Sequence, residues 1–276
     1  MSNYIKTFGL MALLTALLAG VAGYFGGARG MTIGLGVAAV INFGSYWFSS
    51  RVVLKMYRAE IVDRSDLPDL YDLVDRLRQR AGLPMPTLAI APSEQPNAFA
   101  TGRSPKESVV CVTRGLLPLV DRDQLEGILA HELAHIKNRD MLIGTVAATI
   151  SAALVMMARF GFFFGGDRDR GAAGGILMLI LAPVAAMVIQ MAISRAGEFR
   201  ADRIGAQISG KPRALASALA VLEERARRTP MQVSPSAAHL CIVNPLTGKA
   251  GASIASLFRT HPPTADRIER LEALVG

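Results

Sequence analysis

Charged residues are scarce in this sequence and almost absent from two of its segments. Only 19% of the 276 residues are Asp, Glu, Lys or Arg, whereas 51% are hydrophobic. Residues 1–50 contain two charges, and residues 141–194 contain five, four of which lie in one short stretch. A simple soluble domain and a disordered chain both carry charge throughout, so this distribution excludes both classes of protein.

Cysteine is also rare, and two familiar binding motifs are missing. Cys111 and Cys241 lie far apart and neither belongs to a CxxC pair, which excludes a disulfide scaffold and predicts reduced, buried thiols. The sequence has no G-x-x-x-x-G-K-[ST] loop, so we expect no ATP hydrolysis. The net charge is +8, but the basic residues form no stripe with interleaved aromatics, and we therefore expect no nucleic-acid partner.

Four apolar segments are long enough to cross a lipid bilayer as helices. A span of roughly 30 Å of hydrocarbon needs about 20 helical residues. The segments that meet this requirement are residues 8–28, 31–50, 141–164 and 171–194. The first exceeds the usual apolar core of a signal peptide and a second span follows it, which predicts an uncleaved helical hairpin.

The basic residues that flank these segments predict the orientation of the chain. They gather on one side of the spans, and basic loops stay in the cytoplasm; they are Arg51, Lys55, Arg58, Arg64, Lys137, Arg139, Arg195, Arg200 and Arg203. The chain thus divides into transmembrane hairpins at 1–50 and 141–194 and polar segments at 51–140 and 195–276. We expect both termini and both polar segments to be cytoplasmic.

The polar segments have the pattern of a mixed helical and stranded domain. A helix capped by Ser65 or Asp66 should end at Gly82, and a second should run from about Asp121 towards the third span. Three short β-prone runs, at 87–91, 97–102 and 108–113, predict a small antiparallel sheet. Further helices are expected at 198–209, at 212–228 and from Thr264.

The sequence His131-Glu132-Leu133-Ala134-His135 has the spacing of a zinc-binding helix. Residues at i and i+4 share one helical face, so both imidazoles can reach one ion while Glu132 reaches a water molecule on it. In that arrangement zinc lowers the pKa of the water and Glu132 acts as the general base of a hydrolysis. The alternative is a helix with two ordinary histidines.

A catalytic zinc site needs a third protein ligand, and several acidic residues compete for that role. A histidine six residues after His135 is excluded because that residue is Met141. The downstream candidates are Glu198, Glu223, Glu224, Glu269 and Glu272. Glu198 is favoured because Asp202, one turn later, could orient a ligating histidine. The alternative is that Glu198 and Asp202 form a surface acidic pair among arginines.

Several motifs in order along the chain resemble one known family. HELAHIKNRD, EFRADR, NAFATG, AHLCIVNPL and HPPTADRIERL, with two N-terminal spans, are similar to the HtpX membrane metalloproteases, relatives of the CAAX prenyl endopeptidases. The resemblance implies an α-helical integral membrane protein with four spans and a cytoplasmic α+β gluzincin-type metalloprotease domain assembled from two segments. It also implies one Zn²⁺ ion and an active site at the cytoplasmic face of a bacterial inner membrane.

The same resemblance suggests roles for residues outside the zinc motif. Asn97, Ala98 and Phe99 would lie on an edge strand that binds substrate in extended form, although a plain β-hairpin is the alternative. His261 would donate a hydrogen bond to the oxyanion or serve structure alone, and Arg267 would pair with an acidic residue near the metal. His239 is expected to be structural. Gly197 departs from the family pattern, where a basic residue is expected.

The zinc motif predicts a zinc-dependent endopeptidase, and the resemblance implies that it cleaves misfolded or damaged membrane proteins alongside an ATP-dependent membrane protease. The other expected partners are membrane-protein or unfolded polypeptide substrates and the lipid bilayer. Two alternatives stay open, a CAAX-type prenyl-peptide endopeptidase and a non-proteolytic zinc-binding membrane protein. Ionisable residues inside the spans would favour the last, and Arg159 is the only one deep in a candidate span.

Overall fold

The computed structural model describes residues 3–147, 149–150, 195–228, 240–242 and 262–275. Its helices are α1 (Asn3–Trp47), α2 (Ser49–Met56), α3 (Pro68–Ala81), α4 (Arg122–Asn138), α5 (Arg195–Ser209), α6 (Pro212–Arg228) and α7 (Thr264–Glu272). Its strands are β1 (Glu60–Val62), β2 (Thr87–Ala91), β3 (Ala98–Gly102) and β4 (Ser108–Thr113). The polar segments thus contain the predicted helices and a strand at each of the three predicted runs, together with a strand, β1, that the sequence does not predict.

Helix α1 folds back on itself as a hairpin. The break is at Gly27, whose φ of 59° and ψ of −145° are not helical. The two halves approach each other closely at Gly34, where an added Cβ would lie 2.6 Å from the Leu18 carbonyl oxygen. Asn42 donates hydrogen bonds to the Met11 carbonyl at 3.2 Å and to the Thr15 hydroxyl at 2.9 Å, so it faces the other half of the hairpin. The turn precedes the predicted boundary at residues 29–30.

The described residues include the first two predicted spans and the beginning of the third. Among the described residues, Ile5–Tyr24 is long and apolar enough to cross a membrane, and Gly26–Trp47 meets the same test together with residues 50–56, which bend away by 80°. Residues 140–147 are helical and pack on the hairpin through Leu142 and Val146. Most of the third predicted span and all of the fourth lie outside the described residues, so the count of four spans stays a prediction.

The sheet is mixed, with the order β1-β2-β4-β3, and the prediction of a purely antiparallel sheet is wrong. Strand β4 lies between β2 and β3 and pairs parallel to β2 and antiparallel to β3. All six residues of β4 are buried, and valines occupy three of its positions, which suits a strand paired on both sides. Because β4 takes the central place, β3 becomes the edge of the described sheet.

Helix α4 packs against α3, α5, α6 and β3. It begins as predicted at Asp121, whose side chain accepts a hydrogen bond from the N–H of Gln124 in a capping box. It ends at Arg139, whose φ of 59° is left-handed, so α4 does not continue into the third predicted span. Helix α3 ends at Gly82 as expected, but Leu67 is its N-cap instead of Ser65 or Asp66.

The predicted caps of α3 fail because a neighbouring carboxylate organises that turn. Asp63 accepts hydrogen bonds from the backbone N–H groups of Ser65 and Asp66 and from the Ser65 hydroxyl. The Ser65 side chain is therefore bound to the turn that precedes the helix. Pro68 then begins α3, where its missing N–H costs no hydrogen bond.

Candidate metal centre

Two buried helices bring the three predicted ligands together. Helix α4 carries His131 and His135 on one face, and their Nε2 atoms lie 3.2 Å apart. Glu198, in the first turn of α5, has Oε1 3.5 Å from His135 Nε2 and Oε2 3.8 Å from His131 Nε2. A tetrahedral ion with bonds of 2.0–2.1 Å separates its ligand atoms by about 3.3 Å. The spacing of these three donors therefore fits zinc or a similar ion.

Glu198 is the acidic residue that meets both histidines. Of the five downstream candidates, all of which lie in described helices, Glu198 is the one that groups with His131 and His135. Its exposed fraction is 5% and that of Asp202 is 3%. The alternative of a surface acidic pair is wrong, because both carboxylates are buried whereas the arginines at 195, 200 and 203 are exposed.

A glycine sets how closely α5 approaches α4. Glu198, Asp202 and Gly205 follow one another at i, i+4 and i+7 and so share one face of α5. A Cβ added to Gly205 would lie 2.9 Å from both the N and Cα atoms of His131. Only a residue without a side chain allows this contact between the two backbones. The sequence analysis did not single out Gly205.

On one side of the site, an ion pair holds His131. The Oδ1 atom of Asp202 lies 3.0 Å from His131 Nδ1 and accepts a hydrogen bond of 2.7 Å from Arg267 Nη2. Arg267 Nε donates a second bond of 2.8 Å to Asp202 Oδ2. Burial alone raises the pKa of Asp202, but Arg267 and His131 outweigh it and lower the pKa to about 2. The predicted pairing of Arg267 with an acidic residue near the metal is thus present, with Asp202 as the partner.

On the other side, His135 has a carboxylate partner that the sequence analysis missed. Its Nδ1 atom lies 3.3 Å from Asp140 Oδ2. Asp140 is five residues away and would not share a face with His135 on a continuous helix. The left-handed residue Arg139 ends α4 and turns the chain, which brings Asp140 back to the imidazole. The only sequence signal was an acidic residue shortly after the second histidine.

Glu132 lines the same pocket as the three candidate ligands. One of its oxygens accepts a hydrogen bond of 2.8 Å from the backbone N–H of Ala100 in β3. Burial is the main reason that its pKa lies above the ordinary value, partly offset by the charges of His131 and His135. A carboxylate with a raised pKa binds a proton more readily near neutral pH, which suits a group that accepts and returns one.

The predicted substrate-binding residues are divided between the site and its surroundings. Phe99 lies in the wall of the pocket that contains the three ligands, next to Ala100, and its ring is 4.5 Å from that of Tyr57. Ala98 and Asn97 are buried, and the Asn97 side chain bonds to the backbone of residues 240 and 242. His239 and His261 lie outside the described residues. Gly197 is half-buried within α5.

The pocket beside the ligands combines polar chemistry with an apolar wall. His131, Glu132, His135 and Glu198 supply the polar groups, and the apolar wall is formed by Phe99, Met141, Leu240, Cys241 and Ile242. Cys241 and Cys111 are both free and buried, in agreement with the prediction of reduced thiols. Burial raises the pKa of each thiol to about 12, so neither is a reactive thiolate at neutral pH.

Comparison with known proteins agrees with this geometry. Residues 65–275 match the model of peptidase family M48. A "Protease HtpX homolog" of Gemmatimonas aurantiaca is 56% identical and covers 99% of this chain and 100% of its own length. A relative of the same name from Thermococcus sibiricus is 51% identical over 98% of this chain and 96% of its own.

A solved structure also shares the fold. The crystal structure of S. mikatae Ste24p has a TM-score of 0.51 and 15% identity, and the match covers 98% of this chain. The chain spans 66% of the length of that protein. At this level of identity the likeness concerns the fold alone.

Proposed function

We propose that this member of peptidase family M48, a membrane metalloendopeptidase, depends on zinc and cleaves misfolded or damaged membrane proteins. The proposal rests on the family membership and on the geometry of the site. The observation that carries the proposal is the convergence of His131, His135 and Glu198 beside Glu132 in one pocket. Two imidazoles and one carboxylate are a ligand set typical of catalytic zinc, with the fourth position open.

The chemistry divides between the ion and the side chains. When bound, zinc supplies a Lewis acid that polarises the peptide carbonyl and lowers the pKa of the attacking water. Glu132 accepts the proton of that water and returns it to the nitrogen of the leaving amine. Asp202 and Asp140 hold the imidazoles of His131 and His135 in the orientation that binds the ion.

Substrate binding follows from the position of β3. This strand is the edge of the described sheet, and Phe99 and Ala100 lie in the pocket wall. An extended peptide can add to such an edge through main-chain hydrogen bonds, whereas a folded segment cannot. The enzyme therefore selects chains that have lost their secondary structure.

The membrane supplies the second part of substrate selection. Asp140 borders the site and begins a helical segment that packs on the N-terminal hairpin through Leu142, Ile143 and Val146. The site therefore lies close to the predicted membrane helices, where loops tethered to a bilayer are locally concentrated. We place the site on the cytoplasmic face of the inner membrane, on the basis of the flanking basic residues. Because the sequence has no phosphate-binding loop, unfolding of substrates would depend on an ATP-dependent membrane protease as a partner.

The test is one cleavable loop sequence presented in three ways. The loop is placed between two membrane spans, in a free peptide and inside a stable soluble domain, and each is incubated with the full-length enzyme with zinc or with a chelator. Rates should fall from the first substrate to the third, and the chelator should abolish all three. Equal rates for the tethered loop and the folded domain would refute the proposed specificity.

A prenylated peptide in the same assay tests the main alternative. Prenylated and unprenylated versions of the free peptide should be cleaved at similar rates if extended backbone is what the site recognises. Cleavage that depends on the prenyl group would favour a CAAX-type endopeptidase instead.

A further inference from the structure

The side chain of Asn97 holds a short backbone segment beside the metal site. Its Nδ2 atom donates a hydrogen bond of 3.2 Å to the Leu240 carbonyl, and its Oδ1 accepts one of 3.1 Å from the Ile242 N–H. Asn97 is 1% exposed, so both bonds are shielded from water. The side chain therefore has one N–H donor and its carbonyl oxygen bound to the protein itself.

The same segment anchors Arg267. The carbonyl of Ile242 accepts a hydrogen bond of 2.8 Å from Arg267 Nη1, while the other two nitrogens of the guanidinium bind Asp202. Arg267 is therefore fixed from two directions, by a carboxylate on α5 and by a carbonyl that Asn97 holds in place. The paired bonds to Asp202 align the plane of the guanidinium group, and the bond to the Ile242 carbonyl holds Nη1.

The position of this guanidinium matters because it carries a buried positive charge next to the ligands. Arg267 Nη2 lies 3.5 Å from His131 Nε2, and Nη1 lies 3.7 Å from Glu198 Oε2. A cation in this place repels a divalent ion and competes with it for Glu198, and the repulsion is strong where water is excluded. A displacement towards the ligands would weaken metal binding.

We propose that Asn97 is a positioning residue. It fixes the Ile242 backbone, which holds Arg267, and Arg267 in turn fixes Asp202 beside the candidate ligand His131. The family resemblance places Asn97 beside the substrate, whereas its side chain bonds to Leu240 and Ile242 and is linked through Ile242 to Arg267. This inference rests on the proposed metal site and adds to it a residue that lies outside the two ligand-bearing helices, directly before β3.

The test measures metal binding by the full-length protein and needs no substrate. The variants are Asn97→Ala, Arg267→Lys and the double variant, each titrated with Co²⁺ and followed by its visible absorption spectrum. Asn97→Ala should weaken metal affinity by about tenfold and shift the spectrum, as expected for a residue that orients ligands. The double variant should be little weaker than the weaker single variant, because both act through one set of contacts.

Two further variants keep the test decisive if Asn97→Ala is unstable. Asn97→Gln keeps both the amide donor and the amide acceptor on a side chain one methylene group longer, so its metal affinity should fall between those of the wild type and Asn97→Ala. Asn42→Ala is the matched control, since it removes a similar pair of hydrogen bonds within the N-terminal hairpin. It should lower thermal stability without changing the cobalt spectrum.

An unchanged affinity and spectrum in Asn97→Ala, with a raised KM for peptide, would overturn the proposal and return Asn97 to direct contact with substrate. Additive losses in the double variant would overturn it as well. Failure of the proposed function is a different result, because it would appear as metal-loaded wild type that cleaves no peptide.

Discussion

The protonation of His135 determines how metal binding depends on pH. Burial alone lowers its pKa, but the hydrogen bond to Asp140 and the charges of Glu198 and Glu132 raise the pKa to about 9 in the metal-free protein. A histidine binds metal only as the neutral imidazole. At neutral pH an incoming ion must therefore displace a proton from His135.

This competition gives a prediction for the wild-type protein and for Asp140→Asn. Metal affinity should rise about tenfold per pH unit as the pH approaches 9 and then level off, since one proton is released. In Asp140→Asn the pKa of His135 falls, so the plateau begins at a lower pH, and the plateau affinity should be about 10–100-fold weaker because the imidazole loses its partner.

The measurement is a competition titration with a chromophoric chelator between pH 6 and pH 10. Asp69→Asn, an exposed carboxylate on α3, is the control and should behave like the wild type. An affinity that is constant between pH 7 and pH 9 in the wild type would show that His135 is already neutral there.

The ligands and their partners differ in how far the sequence could predict them. His131, Glu132 and His135 follow from helical spacing, and Glu198 follows from the aspartate one turn later, because both patterns are local. The contact of Asp140 with His135 depends on the left-handed conformation of Arg139. Arginine rarely adopts this conformation, so its presence in the sequence does not predict a turn. Helical periodicity in the sequence therefore cannot predict a contact that forms where a helix ends and the chain turns.

At the scale of elements, the site depends on how closely α4 and α5 pack. Gly205 is the point of closest approach, since a Cβ there would meet the backbone of His131. The histidines and Glu198 belong to different helices, so any separation of the two axes lengthens the distances between donor atoms. The packing of α5 on α4 therefore determines the distance between Glu198 and the two histidines.

Replacement of Gly205 by alanine should weaken the metal site. The added methyl group forces α5 away from α4 and moves Glu198 and Asp202 from the histidines, so metal affinity should fall at least tenfold and the Tm should drop. Gly36→Ala is the matched control, because nothing lies within 4 Å of its added Cβ and its φ is not left-handed.

Metal titration and thermal unfolding of both variants check this expectation. Gly36→Ala should bind metal as the wild type does. Wild-type affinity in Gly205→Ala would mean that the helix pair tolerates the methyl group and that the spacing is not set at this position.

The sheet shows what the sequence could and could not predict about the elements. The three runs of β-prone residues are strands close to their predicted bounds, because alternation and turn residues are local signals. Their order is not local, since β4 enters between β2 and β3 and pairs parallel with a strand that is not its neighbour in the chain. That insertion makes β3 the edge of the described sheet, which is the property on which the proposed mode of substrate binding depends.

At the scale of the whole molecule, the site joins segments that the membrane helices separate. His131 precedes the second predicted hairpin and Glu198 follows it, so the two polar segments must lie on the same side of the membrane. The turn at Gly27 in the N-terminal hairpin should lie on the opposite side.

Cysteine labelling tests this arrangement. In a background in which Cys111 and Cys241 are replaced by Ala, a cysteine at the exposed Asp69 should react only with reagents supplied from the cytoplasmic side, and a cysteine at the exposed Gly26 only from the other side. Reaction of Asp69→Cys from outside the cell would reverse the orientation and move the substrates that we propose to the other compartment.

The most direct test of the account is Glu132→Gln in the full-length enzyme, with metal content and peptidase rate measured on the same preparation. The substitution keeps all three ligands and removes the proton acceptor. It should retain about one zinc per chain and lose at least 100-fold in rate, in line with the contribution of a general base. A variant that keeps more than a few per cent of the wild-type rate with its zinc in place would contradict the assignment of Glu132 and the mechanism built on it.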